Sequence, residues 1–107
     1  MDDRTIHSSD DHAYLREGEV YDIRGKLDWI PLTRNMRAPY SMRMLVVHHA
    51  DWTETYVYAS DDVPIPFPAH THVVVKARFE ERRNGPIRDL HLHAIAIRDY
   101  SGRHVLL

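Results

Sequence analysis

Between Val20 and Trp29 the chain alternates without a break: Tyr21, Ile23, Gly25, Leu27 and Trp29 stand against Asp22, Arg24, Lys26 and Asp28. A period of two sends successive side chains to opposite sides of an extended backbone, so this segment reads as a strand with one buried face. Gly25 falls on that buried face. A missing side chain there lets a strand bend sharply, as barrels require when one strand pairs in two sheets.

Other segments repeat the pattern. Pro31 closes the first strand, and Thr33 to Tyr40 reads as a loop because Asn35 and Pro39 interrupt regular structure. A second strand is expected from about Met42 to His49; its run Met44-Leu45-Val46-Val47 does not sort by parity, which suits a strand covered on both sides. A third, Trp52 to Ala59, alternates Thr55, Val57 and Ala59 with Glu54, Tyr56 and Tyr58, and pairs with the second as a hairpin. Ser60 to Pro68 carries prolines at 64, 66 and 68, which forbid a helix and favour an extended connection. The fourth strand puts Val73, Val75, Ala77 and Phe79 on one face and ends at Asn84-Gly85, a strong hairpin signal. The fifth, Ile87 to Asp99, points Leu90, Leu92, Ala94 and Ala96 inward, while Ile95 and Ile97 imply a bulge that switches faces.

A chain of 107 residues has room for one domain with a modest core. It has no cysteine, so disulfides, thiolate metal ligands and thiol nucleophiles are excluded. No apolar run reaches the roughly 20 residues that cross a bilayer, and the acidic Met1-Asp2-Asp3 start is unlike a signal peptide, so a cytoplasmic protein without membrane partners is expected. The net charge of −2 is unevenly spread: residues 1–19 carry −4, leaving the remainder at +2. Residues 1–18 therefore read as an acidic, mostly irregular leader with a short helical turn near Asp10 to Leu15, residues 19–100 as the all-β domain, and residues 101–107 as a C-terminal tail.

A long glycine-bent strand, a hairpin, a gap and a closing hairpin resemble the OB-fold superfamily, which implies a small five-stranded Greek-key barrel. The likeness is closest from His72 to Ile97, where a valine-rich strand, a basic turn with glycine and a leucine-rich return are similar to the last two strands of nucleic-acid-binding OB domains. It covers roughly Val20 to Asp99. The Pro-rich stretch stands where such domains commonly carry a helix that plugs the barrel; Ile65 and Phe67 are the candidate plug, and SH3-like and cupin-like barrels remain alternatives.

The resemblance implies that a ligand lies across strands two and three, gripped by the loops joining strands one to two and four to five. Both regions are rich in arginine: Arg34, Arg37 and Arg43 in and after the first, and Arg82, Arg83 and Arg88 around the second, which Lys76 and Arg78 precede. Guanidinium groups suit phosphate through planar paired donors. Tyr56 and Tyr58 share one side of the sheet, with Tyr40 and Trp52 near the hairpin's ends, as stacking platforms for unpaired bases. The expected function is non-catalytic binding of single-stranded DNA or RNA, either alone or as a small subunit of a replication, repair or RNA-handling assembly. The bland reading is that the tyrosines cover the barrel and the arginines solvate loops.

A second functional reading is a protein-interaction or assembly module, homo-oligomeric or with a partner, using strand edges, the Pro64 to Pro68 segment and the acidic leader. The pairs His70/His72 and His91/His93 each share a face and resemble half of a cupin metal site, but no carboxylate follows closely and no second motif is present. His48 and His49 point to opposite faces. No nucleophile elbow, phosphate-cradling glycine loop or His-Glu-x-x-His segment occurs, so neither enzymatic activity nor a cofactor or metal is expected.

Overall fold

The computed structural model describes residues 4–31, 42–84 and 87–107, with residues 30, 31, 42, 82–84, 87 and 88 described as backbone alone. The strands are β1 (Thr5–Ile6), β2 (Val20–Pro31), β3 (Met42–His48), β4 (Glu54–Ser60), β5 (His72–Asn84), β6 (Ile87–Asp99) and β7 (His104–Leu106), with a 3-10 turn over Ser9–Tyr14. The fold is mostly β. The five expected strands are β2 to β6; β1 and β7 are additions from the leader and the tail.

Gly25 sits where β2 changes partners. The first half of β2, Val20 to Lys26, pairs with β5, and the second half, Lys26 to Pro31, pairs with β3. A Cβ at position 25 would lie 2.3 Å from the His48 carbonyl oxygen and 2.8 Å from Val47 Cγ1. The close approach of two backbones is therefore what the glycine permits. With β3 paired to β4, β4 to β6 and β6 to β5, the pairings run round a closed circuit. The β4–β6 junction is parallel and consists of one bridge, Tyr58 to His93.

Inside the circuit, Ile23 and Leu27, Leu45 and Val47, Val57, Val73 and Val75, and Ile97 are fully buried. The register shifts between Lys76 and Ala77, where β6 skips Ile95, so Ala94 and Ile97 face inward and Ala96 outward. This is the face-switching bulge that the two isoleucines imply; Ala96, expected inward, is buried but pairs with Lys76 on the outer side, and Leu90, also expected inward, is 46% exposed. Val46 is buried although its parity is outward, which answers the ambiguous parity of β3. The hairpin of β5 and β6 closes on the pair Asn84 to Ile87, one residue later than an Asn-Gly turn would have it. The expected loop from Thr33 to Tyr40 lies outside the described residues.

Phe67 is buried in the core and Ile65 packs against it, so the Pro-rich connection plugs the interior without a helix. Pro64, Pro66 and Pro68 of the same connection stay exposed. The leader also differs from a loose tail. Ile6 is buried, β1 pairs parallel with β2, Leu15 packs on the core and Arg4 pairs with Glu19 at 2.8 Å. Two residues of strand are too few to show an alternation in the sequence. The tail returns along β6 as β7, through a turn in which Asp99 Oδ1 accepts from the backbone of Ser101 and Arg103.

Two substitutions test this account. Gly25→Ala forces β2 and β3 apart and should destabilise by about 2 kcal/mol or more, while Phe67→Ala should cost about 3–5 kcal/mol as a cavity-forming core change. Urea denaturation measures both; a Gly25→Ala midpoint equal to the parent's would show that the crossing is not tight.

Candidate nucleic-acid interface

On β4 the inward positions are Thr55, Val57 and Ala59, all buried, and the outward ones are Glu54, Tyr56 and Tyr58. Alternation thus delivers the tyrosine pair to the outer surface. Tyr56 is 49% exposed, and its hydroxyl donates to Glu54 Oε2 at 3.0 Å. That bond, with the carboxylate's charge, raises the Tyr56 pKa and keeps the phenol protonated. Tyr58 lies lower. Its ring stands edge-on to His91 at 4.8 Å between centroids and stacks with His93 at 5.9 Å.

The registers extend this surface. Arg78 pairs with His93, and His93 with Tyr58, so a cation, an imidazole and a phenol form one row across β5, β6 and β4. Lys76 and Arg78 are exposed on the outward side of β5. Glu80 Oε1, at 3.9 Å from His93 Nδ1, brings an acid to the edge of the same surface. The face is therefore aromatic and mixed in charge, with its free cations on β5.

Other expected site residues fall elsewhere. The Arg43 guanidinium hydrogen-bonds through Nη2 to the Val63 carbonyl and is half-buried, so it ties β3 to the 61–71 connection and is not presented to a ligand. Its parity explains this: Arg43 pairs with Ala59, on the inner side. Trp52 is in the β3–β4 turn, not in the strand, and lines a separate groove with His48 and His72. Arg34, Arg37 and Tyr40 lie outside the described residues, as do the side chains of Arg82, Arg83 and Arg88, whose backbone belongs to β5 and β6. The strands around the two arginine-rich connections fix where each departs. The β2–β3 connection leaves the end at which β4 finishes, and the β5–β6 turn leaves the end at which β4 begins. The strand ends from which they depart are therefore opposite ends of the sheet, with the tyrosine pair of β4 between those ends.

Beneath the β3–β4 turn lies a polar network that sequence reading missed. His49, buried, bonds through Nδ1 to the Arg24 carbonyl at 2.8 Å and through Nε2 to Thr55 Oγ1 at 2.6 Å; His12 Nε2 reaches the same hydroxyl at 2.8 Å. A carbonyl only accepts, so Nδ1 of His49 carries a proton and, in the neutral ring, Nε2 accepts from Thr55. The hydroxyl in turn accepts from His12. Nearby, Asp51 takes hydrogen bonds from Ser8 and Thr53 and is held down to about 2. The leader is thus bonded to the β3–β4 turn, through Ser8 to Asp51 and the Ser9 backbone N–H to Thr53 Oγ1, and to β4 through His12. The signal was the pair of polar residues, His49 and Thr55, at inward positions of two adjacent strands.

Among the described residues, no group of three or more His, Cys, Asp or Glu is placed to hold a metal, and no helix is long and apolar enough to cross a membrane. His91 and His93 serve instead as neighbours of Tyr58. No protein-family model, curated protein or solved structure matches this chain.

Burial pushes the His49 pKa below 6.5, so its neutral form is the one the fold stabilises. The contribution is full above the ordinary value of 6.5 and is lost as pH falls through the lowered folded value. Asp51 adds a second loss, between its ordinary 3.8 and about 2. Urea midpoints should therefore fall in two stages on acidification. In His49→Gln the first stage should shrink; an unchanged profile would remove His49 as its source.

Proposed function

We propose that the chain is an OB-type barrel that binds single-stranded nucleic acid across the outer face of β4 and β6, with β5 supplying the cations. The fold part of this reading is supported by strand order. With β2 to β6 taken as five strands, the fourth, β5, follows a long connection and lies beside the first, which gives the 4-1-2-3 order of a Greek key. The registers add a measure of closure: from Val20 through Arg78, His93, Tyr58 and Met44 they return to β2 at Ile30, ten residues further along. Such a stagger over five strands corresponds to a tilt of about 55°, from strand spacings of about 4.8 Å and rises of about 3.3 Å. The sharp bend at Gly25 is what this tilt demands of β2.

The functional part rests on one observation: Tyr56 and Tyr58 stand outward on the same strand, Tyr58 in register with His93 and the exposed Arg78. Flat rings accept bases of any identity by stacking, and a nearby guanidinium holds the backbone, which suits binding without strong sequence preference. The flanking carboxylates Glu54 and Glu80 limit affinity for duplex phosphate arrays and favour the strand whose bases are exposed.

Fluorescence anisotropy with a labelled mixed-sequence oligonucleotide tests the reading. Affinity should fall as salt rises from about 50 to about 200 mM, because bound cations displace counterions. Tyr56→Ala should weaken binding about 5- to 150-fold, corresponding to about 1–3 kcal/mol of stacking. Arg78→Ala should lower the salt dependence. Absence of binding at low salt would end the proposal, and transfer of the effect to a protein partner that covers Tyr56 would favour the assembly module.

A further inference from the structure

A second groove, of about 920 Å³, opens between the outer side of β2, the β3–β4 turn, the bend before β5 and the residue that follows β6. It shares none of Tyr56, Tyr58, His91 or His93 with the tyrosine face. Arg24 and Lys26 line it from β2, and His48 from β3. Of its lining residues only Glu54 is a carboxylate, and that carboxylate already accepts the Tyr56 hydroxyl. Asp28, outside the lining, stands 3.7 Å from His48. Arg24 Nε is buried with no hydrogen-bond partner among the described residues, and the side chain lines the groove. The groove thus brings a guanidinium, an ammonium and an imidazole to one wall.

The groove is also where the chain concentrates backbone strain and exposed aromatic surface. Trp52, at φ 69°, and His70, at φ 71°, are the non-glycine residues with positive φ among those described, and both line it. Such a conformation is strained for a residue with a side chain and persists where the surroundings impose it. Trp52 is 96% exposed, so packing within the chain does not account for its indole. His72 and Tyr100, brought together from the start of β5 and the end of β6, stack with centroids 6.5 Å apart and planes at 26°, a flat wall on the same groove.

Cations beside flat rings recognise a ligand that is anionic at one end and planar at the other. We propose that this groove is a nucleotide site, with the phosphate of a nucleoside monophosphate unit on Arg24 and Lys26 and its base on the rings of Trp52 and the His72–Tyr100 pair. Inorganic anions lack the planar part, and free nucleosides lack the charge. The site stands independently of the tyrosine face: either surface can fail without the other.

Titrating the intact chain with a nucleoside monophosphate, the matching nucleoside and inorganic phosphate tests it, followed by calorimetry and by the NMR signal of the Trp52 indole N–H, with Trp29 as an internal reference. Saturable binding of the monophosphate is expected, with the Trp52 signal moving and the nucleoside and phosphate each weaker by about tenfold or more. Lys26→Ala and Trp52→Ala should each weaken it about tenfold with the urea midpoint unchanged, since both side chains are exposed. Tyr58→Ala, which touches no residue of the groove, should leave mononucleotide binding intact while reducing oligonucleotide binding. No saturation by about 10 mM, equal binding of inorganic phosphate, or indifference to both groove variants would overturn the assignment.

Discussion

The double pairing of β2 is the constraint on which the rest depends. A strand that bonds β5 with one half and β3 with the other must bend, and bending brings its backbone within reach of the His48 carbonyl. Once β2 is shared, the two hairpins that follow are joined into a closed circuit, and the inner side chains of every strand meet in a single core. Positions that face outward are then fixed too. Tyr56, Tyr58, Lys76 and Arg78 are displayed because Thr55, Val57, Val75 and Ala77 are needed inside.

Closure also explains how the interior's ends are filled. A circuit of strands leaves two open ends, and this chain supplies apolar and hydrogen-bonded plugs from connections with no regular pattern of their own. Phe67 comes from the proline-rich stretch, and Ile6 and Leu15 from the acidic leader. Buried polar groups are tolerated when they satisfy one another, as His49, Thr55 and the Arg24 carbonyl do, with His12 completing the chain of bonds from the leader side.

Strands β2 to β6 were legible in the sequence because alternation is a strong local signal and Gly25 and Ile95 mark its two departures from regularity. What escaped was non-local. A two-residue strand such as β1 has no period to detect, and β7 follows a turn whose hydrogen bonds from Asp99 leave no simple spacing rule. The candidate surface was read in part. Parity alone places Tyr56 and Tyr58 outside, but it says nothing of His91 and His93 arriving beside Tyr58, which depends on the parallel bridge between β4 and β6. Arg43 shows the opposite failure: a basic residue near a loop looked available, while its inward parity sends it to the Val63 carbonyl. The groove at Trp52 gathers residues from β2, the β3–β4 turn and both ends of the β5–β6 pair, and no linear pattern announces such a meeting.

The lone parallel bridge between Tyr58 and His93 makes the β4–β6 junction the thinnest seam of the circuit. Backbone bonding holds every other junction of that circuit over several residues; here the rings of Tyr58, His91 and His93 act as an external clasp. A molecule lying across those rings would fasten the seam from outside, tying occupancy of the surface to the breathing of the whole ring of strands.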